Sequence, residues 1–278
     1  MKTIYTLLFT VLSFCSFAAN AIDPPALIKV IVGLGTDFEM NYNIGGNGFI
    51  ESIQTNSSSS YTFTYDANGN VISVQRLFPT ATFTFTYDAN NRITSVNAMP
   101  VAFNVSTQTY TLDYALTDPN EYLDYTEFKM NDQMLLMEEK NFYFSVEGNY
   151  SDVGTTAGYA SGNLTGYYDG SSPSSLNYEN VGVINPLKAA MLPALRALCL
   201  VEFGQPSRKL MDAFYYSQDI ISGLEYSLED PESFQFLYQL KPNGQVWKRT
   251  DKFFYLGALE SVTSNFVIYY YEGDTIPD

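Results

Sequence analysis

The sequence predicts a mainly β protein: a curved, largely antiparallel sheet of repeated β-hairpins, with a helical insertion near 186–216 packed on one face. The first observation is a repeat, because YTFTYDANGNVISV at 61–74 returns 22 residues later as FTFTYDANNRITSV at 83–96. The second is a late copy of the same form, FQFLYQLKPNGQVWKR at 234–249. The third is that one segment, 186–216, has a helical pattern instead. We therefore expect roughly ten or more strands in a sheet built from stacked hairpins.

The repeat begins with an alternating strand. In the first copy Tyr61, Phe63 and Tyr65 alternate with Thr62 and Thr64. A period of two places successive side chains on opposite faces of a strand. The pattern therefore predicts one aromatic face and one threonine face.

Each copy then reaches a turn. Asn and Gly tolerate the positive φ angles that a tight hairpin requires. The predicted structural turn residues are Asp66, Asn68, Gly69, Asp88, Asn90, Asn243 and Gly244. The spacing Asp66-Ala-Asn68-Gly-Asn70 also permits a calcium loop, but the later positions of such a loop lack its glycine and its acid. The hairpin is the favoured interpretation, and we predict no metal site and no cofactor.

The returning strands hold apolar residues at a spacing of three. Val71 and Val74 show this spacing in the first copy, and Ile93 and Val96 in the second. Strict alternation would give a spacing of two or four, so we expect a β-bulge near Ser73 and Ser95.

The helical segment has recognisable boundaries. Asn185 and Pro186 have the residue types of a helix start, and Pro193 is expected to kink or restart the helix. A second short helix is predicted from Ser207 to Tyr216. Residues 170–177, which include GSSPSS, are expected to be a loop.

The first 21 residues resemble an export signal. Lys2 precedes an apolar run, and Ala19-Asn20-Ala21 fits a cleavage site. We expect residues 1–21 to be a signal peptide, residues 22–278 to form a single domain, and the protein to be exported to the periplasm or cell surface. Cys15 leaves a lipid anchor open as an alternative. No other stretch has the length of apolar sequence that a membrane helix needs.

Composition excludes several kinds of chemistry. The chain has no histidine, which removes histidine-based acid–base and nucleophilic catalysis and ordinary zinc sites. Apart from Cys15 the only cysteine is Cys199, in an apolar stretch, where it is expected to pack as a small hydrophobe. The net charge of −16 argues against nucleic acid as a partner. Chemistry that uses only carboxylates remains possible.

The turn segments YDANGNVISV and YDANNRITSV resemble the YD repeat of Rhs proteins. The resemblance implies hairpins laid side by side in a continuous antiparallel sheet. In signal, repeat number and helical segment the chain looks more like the small secreted YD-repeat proteins of Gram-negative bacteria. The motif residues are turn and core positions, so the resemblance implies an architecture and no active site.

Abundant aromatic residues indicate a possible binding surface. The sequence holds 23 Tyr and 20 Phe, and a strand such as 269–271 must direct aromatics to both faces. Trp247 and Tyr270 are the predicted exposed binding aromatics. We expect a non-enzymatic envelope protein that binds a glycan, a lipid or a protein partner. The alternatives are a structural element of the envelope and, third, a carboxylate-dependent glycan hydrolase.

Overall fold

The structure is a computed structural model. It describes residues 25–37, 39–56, 60–113, 123–132, 134–144, 148–168, 173–178, 183–199, 217, 219–226 and 232–277. The expected signal peptide and the expected second helix at 207–216 lie outside these ranges, as do residues 170–172 of the expected loop. The loop prediction is wrong for 173–177, because these residues form a strand that pairs on both edges.

The described residues form eighteen strands and one helix. The strands are β1 (Leu27–Val32), β2 (Met40–Ile44), β3 (Ile50–Thr55), β4 (Tyr61–Tyr65), β5 (Val71–Arg76), β6 (Ala81–Tyr87), β7 (Ile93–Val96), β8 (Met99–Asn104), β9 (Thr109–Asp113), β10 (Leu123–Met130), β11 (Leu136–Tyr143), β12 (Tyr150–Ala160), β13 (Asn163–Tyr168), β14 (Pro173–Asn177), β15 (Gly223–Tyr226), β16 (Glu232–Leu240), β17 (Val246–Tyr255) and β18 (Ala258–Tyr271). The helix is α1 (Lys188–Cys199). No helix in the described ranges is long and apolar enough to cross a membrane.

The strands form a closed ring. Each strand pairs antiparallel with its neighbours in sequence, and β18 pairs with β1 from Val267 to Tyr271. The predicted mainly β, antiparallel class is confirmed, and the curved sheet closes on itself. The first part of β18, residues 258–263, pairs only with β17 among the described residues, so that hairpin extends beyond the ring.

Every second connection lies at the same end of the ring, because successive strands run in opposite directions. This turn end carries the hairpin turns at 45–49, 66–70, 88–92, 131–135 and 241–245. The long connection between β14 and β15, which contains α1, leaves the sheet at this end as well.

The alternation of the strands separates the inside of the ring from the outside. In β4, Tyr61 and Phe63 are buried while Thr62 and Thr64 are exposed. The same order holds through the repeats, so apolar side chains fill the interior and threonine, serine and glutamine cover much of the outer face.

The helix lies against the inner face. Its buried residues Ala190, Met191 and Ala194 share one apolar cluster with buried side chains from strands around the ring, and only the interior brings those strands together. Asn185 caps the helix, since its Oδ1 accepts the N–H of Leu187 at 3.1 Å. The helix continues through Pro193, so the expected restart there is not observed.

Buried polar contacts fix the insertion on the β12–β13 hairpin. The Asn163 side chain donates from Nδ2 to Asp219 Oδ2 at 2.8 Å, and its Oδ1 accepts the main-chain N–H of Asp219 at 2.8 Å. Ser217 hydrogen-bonds the Tyr178 hydroxyl, which donates in turn to the Leu164 carbonyl. Burial raises the pKa of Tyr178 to about 12, so the hydroxyl keeps its proton.

The expected bulges are present. The residue left without a partner is Ile72 in β5 and Thr94 in β7, each one position before the expected serine. Equivalent irregularities follow the turns before β3, β11, β13 and β17. The bulge turns residues three apart towards the same side, which explains why both Val71 and Val74 are buried.

Candidate functional site

The turn after β4 is held by a carboxylate. Asp66 Oδ1 accepts the main-chain N–H groups of Asn68 at 2.8 Å and Asn70 at 2.9 Å. Gly69 has a φ of +81°, the left-handed conformation that glycine adopts without a steric penalty. Hydrogen bonds, chiefly from Asn70, lower the pKa of the Asp66 carboxyl below its ordinary value. The turn therefore uses an ionised aspartate.

The second copy uses the same device. Asp88 Oδ1 accepts the N–H groups of Asn90 at 2.8 Å and Arg92 at 3.0 Å. Asn91 takes the left-handed position with a φ of 59°. The Arg92 N–H, together with the other donors, lowers the pKa of Asp88.

Tyrosine hydroxyls bridge the strands at the turn end. Tyr65 donates to the Ile50 carbonyl at 2.6 Å, and Tyr87 donates to Val71 at 2.7 Å. In both places the strand ladder stops short of the turn end, so the hydroxyl satisfies a carbonyl that the ladder leaves unpaired. The equivalent bonds elsewhere are Tyr159 to Leu136, Tyr178 to Leu164 and Tyr271 to Val246.

The last residue of each repeat turn contacts the next unit. The ring of Phe49 packs on Gly69, where a Cβ would lie 2.8 Å from its Cε2 atom. Asn70 Nδ2 donates to Asn91 Oδ1 at 3.0 Å. Arg92 lies over the ring of Phe103, with its Cζ 5.3 Å from the centroid. The turns thus form a continuous rim along this part of the ring.

Between this rim and α1 lies a cavity of about 490 Å³, the turn-end cavity. Its aromatic lining comprises Phe49, Tyr87, Phe103 and Tyr110. Its amide lining comprises Asn68, Asn70, Asn90, Asn91 and Gln108. Arg92 and Arg196 supply its charge, and Met130, Met134 and Pro193 are among its apolar residues.

The described lining of the turn-end cavity includes two arginines and no carboxylate, although Asp88 pairs with one of these arginines from behind the rim. Burial lowers the pKa of the Arg196 guanidinium, and the phenols of Tyr110 and Tyr87 counteract part of that effect. Arg196 Nε donates to the Met134 carbonyl at 3.4 Å. Arg92 is paired at its Nε, 3.1 Å from Asp88 Oδ2.

The rim amides retain hydrogen-bonding capacity. Within the described ranges, the side-chain amides of Asn68 and Asn90 make no hydrogen bond, and Asn91 uses only its Oδ1 atom. A primary amide offers two donors and one acceptor. The rim therefore presents both kinds of group to a ligand.

A second, smaller cavity, the inner cavity, lies among buried side chains of the ring. It measures about 240 Å³ and is lined mainly by apolar side chains of β1, β15, β16 and β18. Arg249 and Asp251 form a two-bond ion pair at its wall, at 2.7 and 2.8 Å. Burial opposes the charge of Arg249, but the Asp251 carboxylate together with Tyr238 and Tyr269 outweighs this effect and raises the pKa of Arg249.

The two predicted binding aromatics have different environments. Trp247 is 40% exposed, with the Lys248 Nζ 4.3 Å from its ring centroid, and its role as a binding residue stays a prediction. Tyr270 is only 8% exposed, so its expected exposure is wrong. It packs on Ile31 and Ile268, and Ile276 of the C-terminal tail lies against this cluster. Neither aromatic lines the turn-end cavity.

The predicted turn residues occupy turns, and some also line the cavity. Asn68, Gly69 and Asn90 line it, whereas Asn243 and Gly244 form a turn outside it. Sequence reasoning missed Arg196, Phe103 and Tyr110. The one available signal was Arg92, the fifth residue of the second turn, which takes the place of Asn70 in the first.

Two chemical expectations concern cysteine and metals. Cys199 is the last residue of α1, and its side chain is not among those that the structure describes. No group of three or more metal-ligating side chains occurs within the described ranges.

Comparisons with known proteins give a likeness in structure alone. No family model matches the sequence, and no curated protein matches it. A porin-like protein from Bacteroides uniformis aligns over 90% of this chain and 98% of its own, at 11% identity and a TM-score of 0.47. A porin-like protein from Bacteroides vulgatus aligns over 90% of this chain and 100% of its own, at 11% identity and a TM-score of 0.26.

Proposed function

We propose that this is an exported, non-enzymatic binding protein of the cell envelope that holds a short glycan in the turn-end cavity. The observation that carries the proposal is the combination of aromatic rings, uncommitted amides and arginines around one opening of about 490 Å³. Export is inferred from the N-terminal sequence pattern.

Size favours the turn-end cavity over the inner one. Small-molecule sites typically enclose about 300–1,000 Å³. The turn-end cavity, at about 490 Å³, falls within this range, and the inner cavity, at about 240 Å³, falls below it.

The lining chemistry favours a sugar over a lipid. Aromatic faces such as those of Phe103 and Tyr110 provide flat apolar contact, and the rim amides can pair with hydroxyl groups. An acyl chain would leave those amides without partners, at a cost in free energy. A glycan uses both parts of the lining.

The same lining argues for binding without catalysis. Glycoside hydrolysis by carboxylates needs two acidic groups flanking the scissile bond. The described lining of the turn-end cavity contains neither aspartate nor glutamate. A structural role in the envelope remains the second candidate, and it predicts no ligand for this cavity.

A second part of the proposal concerns the family to which the repeats belong. We propose that the hairpins after β4 and β6 are YD repeats in which the tyrosine bridges strands and the aspartate holds the turn. Support comes from the Tyr65 and Tyr87 hydroxyl bonds and from the Asp66 and Asp88 turn bonds.

The test is thermal unfolding of the protein with neutral saccharides, acidic saccharides, phospholipids and peptides. A ligand present at 100 times its dissociation constant adds about 2.7 kcal/mol, which should raise the midpoint by roughly 5–11 °C. We expect a saccharide to give this shift. The double variant Asn68→Ala/Asn90→Ala should weaken its affinity about tenfold and leave the unliganded midpoint unchanged.

Trp247→Ala is the matched control, because it removes an exposed aromatic outside the cavity. We expect it to bind the saccharide as the parent protein does. Loss of binding in this variant would move the site to the outer face of β17. The absence of any shift across the panel would favour the structural role.

A further inference from the structure

The charged side chains that line the turn-end cavity are basic, whereas the chain as a whole is acidic. The chain has 30 acidic and 14 basic residues, yet the described lining holds two arginines and no acid. A random part of this surface would carry more carboxylates than cations. Asp88 balances the charge of Arg92, and Arg196 supplies positive charge beyond that pair, which favours a negatively charged ligand in the cavity.

Arg92 is arranged to receive an anion. Its Nε atom faces Asp88 at 3.1 Å, and its guanidinium lies over Phe103. Among the described residues, nothing hydrogen-bonds its two terminal nitrogens. The terminal nitrogens of a guanidinium fit the two oxygens of a carboxylate, and such charge-assisted bonds are about twice as strong as neutral ones.

Arg196 adds a second positive charge from the opposite wall. It projects from the last turn of α1, and burial lowers the pKa of its guanidinium. The neighbouring Tyr87 and Tyr110 are neutral phenols whose own pKa values are raised by burial. These two phenols therefore contribute no negative charge beside the cation.

We propose that the turn-end cavity selects a saccharide that bears a carboxylate, a uronic-acid type of sugar, with Arg92 as the fork that binds the carboxylate. Arg196 contributes the second charge, and the aromatic and amide lining holds the ring and its hydroxyls. This inference rests on the proposed glycan-binding function and specifies its ligand class.

The test compares trigalacturonate with its fully methyl-esterified form by calorimetric titration. The ester keeps the shape of the sugar and removes its charge. We expect the acid to bind at least about tenfold more tightly than the ester, as one charge-assisted interaction implies. Raising the salt concentration should narrow that difference.

The variant Arg92→Gln should lower the affinity for the acid about tenfold and the affinity for the ester much less, because the ester offers the guanidinium no charge. Arg92→Lys keeps the charge without the fork and should fall between the two. Arg76→Gln is the matched control, because Arg76 also lies over a ring, that of Phe83 at 5.5 Å, but outside this cavity. Unfolding curves establish that each variant folds.

The outcomes separate the two proposals. Equal binding of acid and ester, with no effect of Arg92→Gln, would overturn the carboxylate assignment and leave glycan binding in place. Tighter binding of a sulfated trisaccharide than of the acid would overturn the carboxylate as the preferred anion. Failure of acid, ester and neutral sugars alike to bind would overturn both proposals.

Discussion

At the scale of single residues, tyrosine has two structural roles, and the alternating sequence pattern does not distinguish them. Tyr61 fills the interior as an apolar ring, whereas Tyr65 closes a gap between two strands with its hydroxyl. Burial raises the pKa of Tyr65 well above its usual value, so it remains a hydrogen-bond donor. The second tyrosine of the repeat is therefore a structural residue of the turn end.

Tyr65→Phe and Tyr271→Phe test this role. Each removes only the hydroxyl and leaves the Ile50 or Val246 carbonyl without its partner. Each should lower the free energy of unfolding by about 1 kcal/mol, as measured by denaturant titration. Tyr255→Phe is the control, because this exposed hydroxyl makes no hydrogen bond within the described ranges. A loss in the control equal to that of Tyr65→Phe would contradict the assignment.

At the scale of the elements, the repeat is a turn, a buried apolar residue and a bulge. The buried residue two positions after the bulge is apolar in some units and charged in others. The third position beyond the first apolar residue is Ile53, Val74 or Val96 in three units and buried Glu139 or Arg249 in two others. This divergence explains why the sequence reveals only some of the equivalent hairpins.

Glycine at the turn is needed for two separable reasons. Gly48 and Gly69 both have a φ of +81°, but an added Cβ is unobstructed at Gly48 and meets Phe49 at Gly69. Gly48→Ala should cost about 1 kcal/mol for the left-handed backbone, and Gly69→Ala should cost at least about 1 kcal/mol more for the crowded ring. Denaturant titration measures both.

A second substitution at Phe49 tests whether crowding by its ring causes the extra loss in Gly69→Ala. Phe49→Leu in the Gly69→Ala background should recover part of the extra loss, because the smaller side chain relieves the contact. Equal losses in the two alanine variants would show that the packing of Phe49 on the next turn contributes nothing.

At the scale of the whole molecule, closing the sheet gives most strands partners on both edges and encloses an interior. Closure removes the exposed edges that promote aggregation. The helix and the apolar side chains occupy the interior, and the turn end remains open around the cavity. Carboxylates that hold loops and turns, including Glu39, Asp66, Asp88 and Asp274, are distributed along the chain.

Acid should therefore destabilise the protein. The folded state lowers the pKa of these four carboxyls through hydrogen bonds. A lowered pKa gives stability that is fully present above the ordinary value, about 4 for Asp and Glu, and is lost as pH falls through the folded value. We expect the free energy of unfolding to decline below about pH 5.

Asp66→Asn/Asp88→Asn should make that decline shallower, because two of the titrating groups are removed while an acceptor oxygen remains at each turn. Asp152→Asn is the control, since this exposed carboxylate makes no hydrogen bond within the described ranges. Denaturant titrations between pH 7 and pH 3 compare the variants. An unchanged slope in the double variant would contradict the assignment.

The sequence by itself determined the strand class, the hairpin turns, the bulges and the start of the helix. These features depend on contacts between residues a few positions apart, such as the N–H of Asn68 with Asp66 or the N–H of Leu187 with Asn185. Local periodicity and turn chemistry are sufficient to specify them.

Only the tertiary structure decided the closure of the ring, the burial of Tyr270 and the cavity. Closure depends on pairing between the first and last strands, and the cover over Tyr270 comes from the C-terminal tail. Arg92 lies on a turn and Arg196 on a helix, and their common cavity exists because α1 packs inside the ring. Contacts between segments so distant in sequence leave no local pattern, so a repeat that encodes its hairpins does not encode where they meet.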